Sequence, residues 1–191
     1  MSTSWRMFCA FELPETLQTQ IHDRAKRVRE AVPDAAASWS RPENIHLTVK
    51  FFGNVDQAKV AVISTAAARV VKEFPPLQIE VGTTGVFPRP SRPQVLWIGI
   101  EDTSKALSEF QQRLENEFAG DGFPKEDRAF HPHLTIARIR KPQNAARLAQ
   151  THLEKNFKAV DVMLNELILF RSELSSKGSR YTAISRHRLQ D

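Results

Sequence analysis

Ile45-His46-Leu47-Thr48-Val49, in the first half of the chain, is matched by His133-Leu134-Thr135-Ile136 in the second, and both copies sit in apolar, strand-like runs. Side chains alternate along a strand, so His46 and Thr48 share one face while Ile45, Leu47, Val49 and Phe51 share the other. In the second copy His133 and Thr135 lie opposite Leu134 and Ile136. A single His-x-Thr is most often a hydrogen-bonded structural residue on a half-buried strand. Packing, however, gives no reason for both halves to carry the same polar pair. Two imidazoles that titrate near pH ~6.5, each beside a hydroxyl, form a matched acid and base for one phosphate. His22, His152 and His187 have no threonine two residues on and read as surface or boundary residues.

Working outward, the apolar spacing places the two copies in equivalent surroundings. Trp5 to Leu13 alternates as a strand, with Trp5, Met7, Cys9 and Phe11 on one face and Phe8 and Ala10 on the other. Pro14 opens a helix with the stripe Leu17, Ile21, Ala25, Val28 and Val32, which Pro33 ends. The first histidine strand, Ile45 to Phe52, is expected to break at Gly53-Asn54. A helix from about Asp56 to Phe74 and a strand from Leu77 to Val81 follow. The second half repeats the order. Gln94 to Ile100 is a strand, Thr103 to Ala119 a helix capped by Gly120, Phe130 to Ile139 the second histidine strand, and Pro142 to Asn156 a helix. Strands Val160 to Arg171 and Tyr181 to Arg188, around the turn Ser175 to Ser179, close the chain. The pattern predicts an α+β fold of two pseudo-symmetric lobes, each with a mixed or antiparallel sheet and helices outside, enclosing an active cleft between the sheets. Residues 1–191 then form a single bilobal domain. Its two similar halves are about 1–84 and 92–172, and the C-terminal strand pair completes the sheets.

Composition narrows the function. A chain of 191 residues is long enough for a substantial core. One cysteine, Cys9, excludes an intramolecular disulfide, and no short Cys/His zinc-finger spacing occurs. The first residues lack a signal-peptide core and no stretch reaches membrane-spanning length, so a cytoplasmic protein without membrane association is expected. The 27 basic residues exceed the 22 acidic ones, a net charge of +5 that suits a polyanion. Arg24, Lys26, Arg27 and Arg29 read as a solvated helix face, and Arg89 and Arg92 fall in a Pro-rich loop. Arg138, Arg140 and Lys141 follow the second motif, where phosphate contact is expected.

With these residues in view the chain resembles the two-histidine phosphoesterases, and among them the bacterial and archaeal RNA 2′,3′-cyclic phosphodiesterases, also called 2′-5′ RNA ligases. The resemblance runs through Arg41-Pro42-Glu43-Asn44-Ile45-His46-Leu47-Thr48-Val49-Lys50-Phe51-Phe52-Gly53, Gly85-Val86-Phe87-Pro88 and Arg92-Pro93-Gln94-Val95-Leu96-Trp97. It continues through Phe130-His131-Pro132-His133-Leu134-Thr135-Ile136-Ala137-Arg138 to Leu169, Ser172, Gly178 and Tyr181. It implies hydrolysis of an RNA-terminal 2′,3′-cyclic phosphate to a 2′-phosphomonoester, with His46 as proton donor and His133 as proton acceptor. Thr48, Thr135 and Arg138 are implied to bind the phosphate, and 2′-5′ RNA joining is implied as the reverse activity. The expected partners are an RNA with a cyclic phosphate end or a small cyclic nucleotide, met by a monomer that needs neither metal nor cofactor.

Two other readings are open at this stage. His131 and His133 share a strand face and could join His46 as three nitrogen ligands of a metal-dependent phosphodiesterase. A non-catalytic RNA- or nucleotide-binding module could use the same cleft, although binding requires no matched acid and base. Phe51, Phe52, Phe87 and Phe130 read as core, with stacking of one of them on a base left open. Arg138 poses a geometric problem. Five residues beyond His133, it faces the wrong way on a regular strand, and only a bulge, twist or strand end would bring it to the same phosphate.

Overall fold

The computed structural model describes residues 4–154, 157–175 and 178–190. Nine strands and four α-helices occur among them in chain order: β1 Ser4–Glu12, α1 Glu15–Ala31, β2 Ala37–Trp39, β3 His46–Asp56, α2 Val60–Val71, β4 Leu77–Arg89, β5 Arg92–Glu101, α3 Ala106–Gly120, β6 His133–Ile139, α4 Ala145–Glu154, β7 Val160–Leu164, β8 Glu166–Ser175 and β9 Gly178–Arg188. The helices form where the apolar stripes run. α1 starts after Pro14 and buries Leu17, Ile21, Ala25 and Val28, while α2 buries Val60, Ile63, Ala67 and Val70. The expected α4 terminus at Asn156 and part of the turn Ser175 to Ser179 lie outside the described residues.

The strands make two sheets, ordered β3-β1-β8-β9 and β2-β6-β5-β4-β7, and every strand pair is antiparallel. The order shows a correspondence: each sheet sets its histidine strand, β3 or β6, beside the first strand of the same half, β1 or β5. Its third strand comes from the other half, β8 in the first sheet and β4 in the second. The lobes are therefore not the sequence halves 1–84 and 92–172, because each half sends its last long strand across. α2 packs on β8, β9 and α3, whereas α1 packs on β6 and α4. One main core joins the two lobes. It takes Met7, Cys9 and Phe11 from β1, Ile98 and Ile100 from β5, and Phe110, Leu114 and Phe118 from α3.

The expected elements are corrected at four points. Gly53-Asn54 does not end the first histidine strand, which runs to Asp56 because Gly53 takes φ +71° and absorbs an extra residue instead of turning the chain. The apolar run Val160 to Arg171 is two strands in different sheets, parted at Asn165. Ala37–Trp39, between the helix ended by Pro33 and the strand expected from Ile45, pairs with β6 as a short edge strand. Gly120 is the last residue of α3, and the left-handed position after the helix is Gly122, at φ +85°.

Candidate active site

Pairing registers decide which side chains share the histidine faces. On β1, Glu12, Ala10 and Phe8 alternate along one face and stand opposite His46, Thr48 and Phe51 of β3. Val49 is extra, a β-bulge between Thr48 and Lys50. On β5, Gly99, Trp97 and Val95 alternate along one face and stand opposite His133, Thr135 and Arg138 of β6, with Ile136 as the extra residue. Both motifs therefore carry a bulge at the same place, one residue after the threonine. Each bulge sends two consecutive side chains inward, Val49 with Lys50 and Ile136 with Ala137, all of them buried. The next side chain is returned to the histidine face, and Arg138 thereby joins His133 and Thr135. Phe51 likewise joins His46 and Thr48, which overturns its expected place beside Leu47. The carbonyls at the two bulges are satisfied: Gln111 Nε2 donates to Val49 O at 3.4 Å, and Ser40 N donates to Ile136 O at 2.9 Å.

Both faces look away from the main core, and β3 and β6 adjoin where the sheets meet. On the first face lies a separate apolar cluster of Phe8, Ala10, Ile168 and Phe170, with Tyr181 packed against it. His46 stacks on Phe8, ring centroids 4.9 Å apart, and meets Tyr181 edge-on at 5.2 Å. In the second sheet His133 meets Phe87 edge-on at 5.0 Å, and Trp97 lies 5.1 Å from Phe87. Gly85 is required beneath that indole, since a Cβ there would come within 2.1 Å of the Trp97 ring. The aromatic walls fix both imidazole planes.

Hydrogen bonds and charge then set their chemistry. His133 Nδ1 lies 2.7 Å from the His131 carbonyl, which accepts its proton and leaves Nε2 with a free lone pair. Burial pushes His46 down to about 4, against a hydrogen bond with the Asn44 backbone. Burial also lowers His133, opposed by the His131 hydrogen bond and reinforced by the positive charge of Arg138. Arg138 is therefore close enough for His133 to feel its charge.

Other expectations fall differently. Phe52 packs edge-on against Phe118 and Phe123, and Phe130 packs against the main core. Phe51 is 37% exposed on the cleft face, with the Arg6 guanidinium 4.4 Å from its ring centre. Among the described residues no group of three His, Cys, Asp or Glu is placed to hold a metal ion, so His46, His131 and His133 are not gathered into one. His152, expected at the surface, is fully buried and bonds the Trp97 carbonyl at 2.9 Å. Arg24, read as part of a solvated helix face, is buried beside it and donates to the His152 carbonyl at 2.7 Å. Phe87, read as core, is instead half-buried against His133, and Trp97 and Tyr181 are singled out in the sequence only through the resemblance. The apolar alternation of their strands marks them as sheet residues without showing that they flank the histidines.

The family model of the 2′-5′ RNA ligase superfamily matches residues 13–175. A protein named RNA 2′,3′-cyclic phosphodiesterase from Methanothermobacter thermautotrophicus is 34% identical over 187 residues, 96% of this chain and 98% of its own. A protein of the same name from Escherichia coli is 27% identical, with 97% of each chain covered. Among solved structures, E. coli LigT complexed with 3′-AMP superposes with a TM-score of 0.77 at 27% identity, covering 98% of this chain and 99% of that one. TT0787 of Thermus thermophilus shares the fold at a TM-score of 0.79 and 23% identity, covering 96% and 97%. In sequence along nearly its whole length, and in fold, the chain belongs to the 2′-5′ RNA ligase superfamily.

Proposed function

We propose that the cleft opens an RNA-terminal 2′,3′-cyclic phosphodiester to a 2′-phosphomonoester, without metal, as one bilobal unit. In this reaction His133 Nε2 takes a proton from water as the water oxygen bonds to phosphorus. The bond from phosphorus to the 3′-oxygen breaks, and that oxygen takes a proton from His46. Thr48, Thr135 and Arg138 hold the non-bridging oxygens as negative charge grows. A ribose 5′-hydroxyl in the place of that water leaves a 2′-5′ bond, the joining reaction.

The observation that carries this reading is the repeated bulge, which puts Arg138 on the face of His133 and turns Lys50 off the face of His46 into the core. In the free protein burial holds His46 low, the reverse of what an acid needs. An anionic phosphate beside His46 supplies the missing counter-charge, while Arg138 continues to disfavour a charged His133. The proton that His46 donates is therefore favoured by the substrate itself. Phe51, turned outward by the first bulge and backed by Arg6, offers a face on which a base can stack.

Incubation with an RNA ending in a 2′,3′-cyclic phosphate, in the presence of EDTA, tests the proposal. The expected product is a 2′-phosphate, formed at a rate that dialysis leaves unchanged. Loss of turnover on chelation with recovery on adding zinc would overturn the metal-free mechanism. Release of a 3′-phosphate would overturn the assignment of the leaving oxygen.

A further inference from the structure

The edge strand β2 has a second side. Ser38 pairs with Arg138 and so lies on the cleft face, where Arg140 Nε donates to its hydroxyl at 2.7 Å. Trp39, the next residue, points to the opposite face. There it forms one wall of a recess of about 460 Å³ between α1 and β2, lined also by His22, Lys26, Arg29, Glu30 and Ser40. That volume is within the range of small-ligand sites. The indole is half-buried, whereas Lys26 and Arg29 are exposed, and the contact of Lys26 with Glu30 is loose at 3.9 Å. His22 contributes a buried Nδ1 that has no hydrogen-bond partner. The recess is also fastened to the catalytic strand: Ser40 Oγ donates to the Thr135 carbonyl at 2.8 Å, and Ser40 N to that of Ile136.

An aromatic wall with two cations beside it is what single-stranded nucleic acid requires: a face for a base and charges for its phosphates. The route to it is short, because β2 lies one strand spacing, ~5 Å, from β6 and is the last strand of its sheet. An RNA whose cyclic end sits at Arg138 can pass Arg140 and cross this edge. Resting on the function proposed above, we propose that the recess is a second subsite for the same RNA, where an upstream base stacks on Trp39 and its phosphates meet Lys26 and Arg29. The preferred substrate is then an oligoribonucleotide, not a mononucleotide.

Two measurements test this. The first compares kcat/KM for a 2′,3′-cyclic mononucleotide and for an RNA of about ten nucleotides with the same end. In the double variant Lys26→Ala/Arg29→Ala, and in Trp39→Ala, the longer RNA should lose roughly tenfold to a hundredfold through KM. The mononucleotide should be turned over as by wild type, and Trp39→Phe should keep most of the preference for length. The second is fluorescence anisotropy with a labelled RNA of equal length ending in a 3′-hydroxyl, which reads the subsite even if neither cyclic substrate is hydrolysed. Binding should weaken by a similar factor in the charge variant and depend less steeply on salt. Unchanged binding and kinetics in that variant, or an equal loss on both substrates, would overturn the proposal. Absence of hydrolysis in wild type with binding as expected would instead count against the proposed reaction.

Discussion

Replacing Lys50 by Met should destabilise the protein far more than the loss of an exposed lysine would. The bulge at Val49 turns this lysine into the core, where its side chain is 2% exposed and its Nζ lies 2.7 Å from Glu115 Oε2. Nζ also donates to the Pro124 carbonyl at 2.7 Å, while Glu115 accepts from Glu126 N at 3.2 Å and from Gln111 Nε2 at 3.3 Å. Lys50→Met leaves the Glu115 carboxylate buried without its counter-ion, a cost of about 3–5 kcal/mol. For a chain of this size that lowers Tm by roughly 6–20 °C. Lys50→Met/Glu115→Leu removes both charges and loses only the three satellite hydrogen bonds, about 1 kcal/mol each, so it should be within ~3 kcal/mol of wild type. Urea unfolding of the four proteins of the cycle measures both values. The cluster also ties β3 to the loop that leads into His131, whose carbonyl orients His133, so the folded double variant should lose kcat with KM little changed. A single variant that costs under ~1 kcal/mol, or a double variant as unstable as the sum of the singles, would refute this account of the cluster.

Further outcomes follow from the same geometry. Since His46 sits at about 4 and His133 below 6.5 in the free protein, kcat/KM should peak on the acid side of pH ~6.5, and kcat at higher pH because bound phosphate raises His46; a shared optimum near pH 8 would contradict the assignment. Arg138→Ala should slow turnover and, by removing a charge that lowers His133, move that limb to higher pH, against the simpler expectation that an arginine handling no proton leaves the profile fixed. Arg138→Lys should restore the charge effect and only part of the rate, because an ammonium cannot form the bidentate fork. His152, pushed down to about 4 mainly by burial, has its folded pKa below the unfolded ~6.5. Its stabilising contribution is therefore complete above pH ~6.5 and lost as pH falls to about 4, in total roughly 3 kcal/mol. Denaturant titrations should show a shallower acid decline in His152→Gln, and an unchanged slope would show that this histidine is not the titrating group.

Much of this was legible in the sequence because alternation and helical spacing report burial directly. The faces of β1, the stripe of α1, and the two threonine-bearing motifs stand in the structure as the spacing predicts. The bulges do not, since a bulge is a property of two paired strands and His46–Phe51 carries no record of Cys9 and Ala10 across from it. One local signal existed. Regular alternation would have placed Lys50 on the motif face between Thr48 and Phe52, leaving Glu115 of α3 without a counter-ion. The exchange of β4 and β8 between sheets was likewise hidden, because periodicity tells which face of a strand is buried and not which strand lies beside it. Asn165 and Glu166, adjacent polar residues within the run Val160 to Arg171, stand at the crossing between sheets.

The division of labour between the two histidines is tested most directly with a cyclic substrate in which sulfur replaces the leaving 3′-oxygen. A thiolate departs without a proton, so such a substrate needs the base and not the acid. On the oxygen substrate His46→Ala and His133→Ala should each lose on the order of 10² to 10⁴ in rate. On the sulfur substrate His46→Ala should recover to within about tenfold of wild type while His133→Ala remains as slow as before. Recovery of His133→Ala instead, or equal deficits in both variants on both substrates, would contradict the assignment of His46 as acid and His133 as base.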